Sequence, residues 1–165
     1  MRDEVVLVNS KDEILGIAPK LEAHREGLLH RAFSVVIYNP NGEILLQQRA
    51  KNKYHSAGLW SNTCCSHPQP GEDIKHSAQL RLYEEMSITA ELEYVDKFQY
   101  RAELENDMIE HEIDYVFRGY YDGIVKPNPT EAIRSDWVTP ECLAGALKAS
   151  PYLYTYWLPL VLKML

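Results

Sequence analysis

Residues 58–72, GLWSNTCCSHPQPGE, gather two adjacent cysteines, a histidine and a glutamate between the turn-formers Gly58, Pro68, Pro70 and Gly71. A thiol beside a histidine can act as a nucleophile, a metal ligand or an acid–base group. No Cys-x-x-Cys pair is present, which argues against a thioredoxin-like or zinc-ribbon role. Of the two neighbours, Cys65 is the candidate for chemistry, and Cys64 is expected to point elsewhere and pack. A second constellation is IEHEIDYVF. On a strand, side chains alternate between faces, so Glu110 and Glu112 share one and His111 takes the other. Two carboxylates on one face repel unless a cation or a shared proton compensates. His24 and His30, six apart, and His67 in the cysteine segment could join that pair in a divalent site suited to Mg, Mn or Zn. Spacing alone does not establish it, because the donors come from separate stretches and a solvated edge strand would also carry Glu-x-Glu. Arg81 and Glu85 stand four apart, either as an ordinary helical ion pair or as two groups sharing a metal-bound diphosphate. Lys20, Arg49, Lys51 and Lys53 add possible phosphate contacts.

The elements that must position these residues follow from periodicity. VVLVNSKDEILGI reads as an N-terminal hairpin with a polar turn at Asn9–Glu13. Ala32–Tyr38 and Glu43–Gln48 repeat that pattern around the NPNG turn at 39–42. Residues 73–86 read as a helix, with Ile74, Ala78, Leu82 and Met86 as its apolar stripe. Strands are expected near 92–101, 109–121 and 132–138. Two helices then close the chain, the second started by Ser150-Pro151 and kinked at Pro159. Strands, a helix, more strands and terminal helices predict an α/β sandwich on a mixed sheet.

The totals agree with one domain spanning 1–165. A net charge of -7 argues against non-specific nucleic-acid binding. No apolar run approaches the ~20 residues of a membrane span, and the N-terminal residues show no secretory h-region, so a cytoplasmic protein is expected. Three cysteines, two of them adjacent, do not make a disulfide framework.

HREGLLHRAFSV, GLWSNTCCSHPQPGE, RLYEEM and FQYRAEL followed by IEHE occur in that order. Together they closely resemble the type I isopentenyl diphosphate isomerases, a branch of the Nudix superfamily, over roughly residues 16–160. The Nudix box, G-x5-E-x7-R-E-U-x-E-E-x-G-U, laid over Ser66–Ile88 finds Glu72, Leu82, Glu84, Glu85 and Ile88 in place. Ser66 and Ser87 replace its glycines, and Leu80-Arg81 replaces Arg-Glu. In the hydrolases that glutamate helps gather the metals that cleave phosphoanhydrides, so its loss fits an enzyme that leaves a diphosphate intact.

The resemblance implies an α/β/α sandwich of Nudix type, with a mixed central sheet and an N-terminal hairpin extension. It implies that Cys65 and Glu112 are an acid–base pair on opposite faces of an alkene. His24, His30, His67, Glu110 and Glu112 would hold one divalent metal (Mg, Mn or Zn), and Glu85 would help bind Mg on the substrate diphosphate. Lys20, Arg49, Lys53 and Arg81 match diphosphate contacts. Tyr100 matches a tyrosine beside the acidic group, and Trp157 an aromatic residue near a cationic carbon. The implied activity interconverts isopentenyl and dimethylallyl diphosphate in isoprenoid biosynthesis, by a monomer or weak dimer whose partner is this small isoprenoid diphosphate. The rival is a Nudix hydrolase of a nucleoside diphosphate derivative, which would want the intact glutamate-rich box and have no need of Cys65. Ser87 is expected to close its helix in the left-handed region, at a cost near ~1 kcal/mol.

Overall fold

The computed structural model describes residues 2–165. Nine strands form a mixed sheet whose centre is the chain's most continuously buried run. That run, β3 (His30–Tyr38), pairs in parallel with β8 (Ile109–Tyr120) along its whole length, from His30↔Glu112 to Tyr38↔Tyr120. Near-continuous apolar sequence suits a strand covered on both faces. The other edge of β3 is shared in turn. β1 (Glu4–Val8) meets it at His30, β6 (Cys64–Ser66) at residues 33–35, and β4 (Ile44–Arg49) at Tyr38. β7 (Glu93–Glu103) extends the sheet beyond β8, while β5 (Trp60–Ser61) and β9 (Ala132–Val138) flank β4.

The N-terminal hairpin forms as expected. β1 pairs antiparallel with β2 (Ile14–Pro19), and Asn9 Oδ1 accepts the backbone N–H groups of Lys11 and Glu13 at 2.9 and 3.1 Å. This side-chain-built turn is the reason asparagine suits the position. α1 (Lys20–Glu26) follows directly.

Strand alternation divides the interior between two cores. Phe33, Val35 and Ile37 pack with Ala78, Leu82 and Met86 of α2 (Ile74–Met86). Val36 and Val116 pack on the opposite side with Leu143 of α3 (Pro140–Ala149) and with Leu158 and Val161 of α4 (Leu158–Leu162). The layers are therefore α/β/α. Asp73 caps α2 by accepting the His76 N–H at 2.9 Å, and Ser87 ends it at φ 58°, as its sequence position requires. The Ser87 hydroxyl donates to the Lys126 carbonyl at 3.0 Å, which partly offsets that strain.

Two expectations are corrected. The turn after Tyr38 forms, but β3 and β4 share only the Tyr38↔Ile44 pair. β6 occupies the β3 edge, and β4 instead ladders with β9 from Ile44↔Val138 to Arg49↔Ala132. The last segment is not one kinked helix. A 3-10 turn (Pro151–Leu153) gives way to non-helical chain in which Thr155 N–H donates to the Trp60 carbonyl at 2.9 Å. Pro159 then lies in the first turn of α4, where a missing N–H costs no helix bond.

Candidate active site

One pocket opens on the sheet face that carries Val36 and Val116. Its floor comes from alternation on β8: Glu110, Glu112 and Asp114 are all buried and line it, while His111 leaves by the other face, its Nδ1 3.0 Å from the Gly27 carbonyl. His24 on α1 and His30 on β3 are fully buried behind these carboxylates. His24 Nδ1 donates to the Lys20 carbonyl at 2.7 Å, and His30 Nδ1 to the Leu28 carbonyl at 2.8 Å. With those protons committed, both Nε2 lone pairs aim inward. His30 Nε2 and His67 Nε2 lie 3.1 and 2.9 Å from Glu112 Oε2, and His24 Nε2 contacts Glu110 Oε1. Tyr100 on β7 donates to Glu112 Oε1 at 2.7 Å.

Lone pairs facing carboxylate oxygens need a cation between them. Neither His24 Nε2 nor Glu110 Oε1 has a hydrogen bond, although both are buried. The ligand atoms of His24, His30, His67 and Glu112 lie within 4.8 Å of one another, and those of His24, His55 and Glu110 likewise. Protons cannot fill the role for every ring, since burial drives the His67 imidazole down to about 3 despite its Glu112 contact. Anchored imidazoles converging on carboxylates are the donor set of a divalent metal. The carboxylates separate electrostatically. Burial, then repulsion from Glu112, holds Glu110 above the usual carboxylate range. Burial also opposes ionisation of Glu112, whereas positive charge at the His30 and His67 contacts, whether a ring proton or a cation held by the rings, outweighs burial and holds it well below that range.

Cys65 sits in the wall. Cys64 is fully buried in the α2-side core and Cys65 packs toward the other, so alternation along β6 separates the thiols. Cys65 S–H donates to Asn62 Oδ1 at 3.0 Å, with Ser34 Oγ at 3.5 Å. The Asn62 amide is locked, its Nδ2 donating to the Val35 and Cys64 carbonyls, both at 3.1 Å. Burial, then the nearby Asp114, pushes the Cys65 thiol up to about 12, so it stays protonated near neutrality. Trp157 is 3% exposed and donates from Nε1 to Ser61 Oγ at 3.0 Å.

The mouth is cationic. Lys20, Arg49, Lys53 and Arg81 all line it, with Glu85 and Glu131. The Arg49 guanidinium stands 5.3 Å from the Trp157 ring centroid. Lys53 Nζ pairs with Glu131 at 2.6 Å, and Arg81 pairs with Glu85 at 3.1 Å and Glu131 at 3.2 Å. Burial, and then the charge of Lys53, lowers the Lys20 ammonium below its usual value. Thus the sequence-predicted residues meet around one pocket, His24, His30 and Tyr100 from behind its lining, except Lys51, which is exposed and outside it.

Several lining residues escaped sequence reasoning: Ser34, Tyr54, His55, Asp114 and Glu131. Asp114 had a signal, since the alternation that pairs Glu110 with Glu112 continues to it. Its Oδ2 accepts from Ser34 Oγ at 2.7 Å, while its Oδ1 is buried without a partner.

Fold and pocket together define a NUDIX-class protein, and the family model described as the NUDIX domain matches residues 28–158. DR0079 from Deinococcus radiodurans superposes with a TM-score of 0.78 over 98% of each chain, at 18% identity, a likeness of fold alone. A MutT protein from Methanosarcina mazei Go1 gives 0.62 at 26% identity, over 71% of this chain and 81% of that one. Sequence relatives narrow the class. Isopentenyl-diphosphate Delta-isomerase 1 of Aromatoleum aromaticum is 49% identical over 158 residues, 96% of this chain and 89% of its own. The Burkholderia multivorans isopentenyl-diphosphate Delta-isomerase is 46% identical over 157 residues, 95% of this chain and 89% of its own. The chain belongs to the isopentenyl-diphosphate Delta-isomerase family. No helix of the described residues is long and apolar enough to cross a membrane.

Proposed function

We propose that the protein interconverts isopentenyl and dimethylallyl diphosphate, with Cys65 and Glu112 as its acid–base pair. The terminal alkene is unactivated, so a proton must be added at C4 and another removed from C2, through a tertiary carbocation. Such an ion survives only away from water, between an acid and a base. The observation that carries this reading is the placing of the half-buried Cys65 thiol and the buried Glu112 carboxylate in the lining of one pocket beside Trp157. Asn62 holds the thiol, and Tyr100 holds the carboxylate and can share its proton. The roles of Cys65 and Glu112 exchange with the direction of reaction, because each direction is the microscopic reverse of the other.

The Trp157 face offers π density to the cation, worth ~2 kcal/mol or more when desolvated. Lys20, Arg49, Lys53 and Arg81 bind the diphosphate at the mouth, away from the reacting carbons. His24, His30, His67, Glu110 and Glu112 would hold one divalent ion, Mg, Mn or Zn, and Glu85 a Mg that arrives with the diphosphate. When bound, the first ion would neutralise the carboxylate pair and fix the orientation of Glu112. Incubation with isopentenyl diphosphate and Mg should yield dimethylallyl diphosphate. Release of phosphate in its place would refute the isomerase reading in favour of Nudix hydrolysis.

A further inference from the structure

We propose that His55 is a fourth histidine ligand of the divalent-metal centre, donating beside Glu110. This rests on the reading above that the His/Glu cluster holds a metal, and it enlarges the donor set by a residue from a different part of the chain. His55 belongs to the loop between β4 and β5. It is 5% exposed, and Arg49 holds its backbone, donating from Nη2 to the His55 carbonyl at 3.2 Å and from Nε to the Ser56 carbonyl at 3.1 Å.

Its ring repeats the arrangement of His24 and His30. Nδ1 is engaged away from the centre, 3.1 Å from Ser56 Oγ, and Nε2 points to a carboxylate, 3.7 Å from Glu110 Oε1. Donors of one ion lie within about twice a ~2 Å bond of each other, so that separation is within reach of a shared cation. The ring stacks on His24, with centroids 5.4 Å apart and planes at 30°.

The two donor groups, His24–His30–His67–Glu112 and His24–His55–Glu110, have His24 in common. With Nδ1 of His24 committed to the Lys20 carbonyl, only Nε2 is left, and its single lone pair serves one ion. The groups share that donor but remain separate sets, since their six ligand atoms do not all lie within 4.8 Å of one another, so one centre of four imidazoles and two carboxylates forms when the side chains draw together around the ion. Imidazole favours zinc, iron and nickel, whereas carboxylate and water favour magnesium. His55 thus tilts the centre toward zinc-like ions.

The alternative is that the ring only packs, edge-on to Trp157 at 5.9 Å. His55→Phe separates the two, because it keeps an aromatic ring and removes both nitrogens. Chelator-treated full-length wild type, His55→Phe, His55→Ala and His30→Ala are checked for fold by circular dichroism. They are then titrated with Co2+, followed by visible absorption, and with Zn2+ against a chromophoric chelator. Both His55 variants should show a changed Co2+ spectrum and at least about tenfold weaker Zn2+ binding, with a much smaller change for Mg2+. A His55→Phe protein with wild-type spectrum and Zn2+ affinity overturns the assignment. Should the variants not fold, 15N histidine resonances of the wild type decide: four of the six should shift on Zn2+ binding, and three, with His55 unmoved, overturns it. If His30→Ala binds Zn2+ like wild type, the shared centre falls and this assignment with it. A protein that keeps the His55-dependent spectrum but does not isomerise isopentenyl diphosphate refutes only the activity and supports the ligand.

Discussion

Behind the floor of the pocket, His24 and His30 are tied through Nδ1 to backbone carbonyls, and in the floor Glu112 is engaged at both oxygens. At the mouth, Lys53 and Arg81 are tied to Glu131 by side chains alone, at 2.6 and 3.2 Å, with the Lys53 side chain 28% exposed. Main-chain anchors cannot be displaced by a ligand, whereas side-chain ion pairs can be exchanged for a phosphate of like charge. Breaking a buried pair leaves an uncompensated charge and costs about 3–5 kcal/mol. Exposed pairs contribute ~1 kcal/mol or less and weaken with salt. On the proposed function, chemistry falls where groups are immobile, and binding where charge partners can be swapped.

The sharpest test of the immobile half is Cys65→Ala, which should lower kcat by about 10²–10⁴ while fold and metal content persist. Cys64→Ala, in the α2-side core, should instead cost about 1 kcal/mol of stability and leave turnover per folded molecule intact. Equal losses of turnover would make the segment structural. His24→Ala and Glu110→Ala should remove metal and activity together, whereas His111→Ala should do neither. Metal loss in the His111 variant, measured by elemental analysis, would break the face assignment on β8.

Trp157 joins the two halves, touching the core and the Arg49 guanidinium. Trp157→Ala should lower kcat at least ~30-fold, corresponding to ~2 kcal/mol of lost cation stabilisation. It should also cost about 3–5 kcal/mol of stability. Trp157→Phe should fall between on both scales, and normal turnover per folded molecule in the alanine variant would reduce the ring to packing. For the exchangeable half, Lys53→Ala should raise KM about tenfold, the loss of one charge-assisted hydrogen bond, with kcat little changed. A fall in kcat with KM unchanged would move Lys53 from binding to chemistry.

The smallest effect concerns Asp114, held well above the usual carboxylate range by burial and then by Glu112. The folded protein keeps a proton that the unfolded chain releases above about pH 3.8. Stability from that proton is complete below this pH and declines as pH rises toward the folded-state value. Asp114→Asn should therefore raise the Tm of metal-free protein near neutral pH and leave it unchanged well below pH 3.8. An equal shift at both pH values would trace the effect to packing.

Local pattern carried much of this. The spacing of Ile74, Ala78, Leu82 and Met86 marked α2, and alternation at Glu110, His111 and Glu112 set the floor. Where long-range pairing decides, local pattern misleads: β6 takes the β3 edge that a simple hairpin would fill, and Trp60 holds Thr155 out of a helix. His55 and Glu131 lie in loops, where no periodicity signals direction. The donors on α1, β3 and β8 and just after β6 come from separate stretches, so only the family resemblance implied that they form one set.

The parallel pairing of β3 with β8 brings together His30 and Glu112, 82 residues apart. Loop-closure entropy grows with the logarithm of that separation, and such non-local pairing is slow to form. During synthesis the histidines at 24, 30 and 67 leave the ribosome well before the glutamates that complete their site. A metal centre that closes only after the folding transition state makes a kinetic prediction. Metal should then slow unfolding strongly and leave the refolding rate nearly unchanged, as a latch on a finished fold would, and equal acceleration of refolding would place the centre in the folding nucleus.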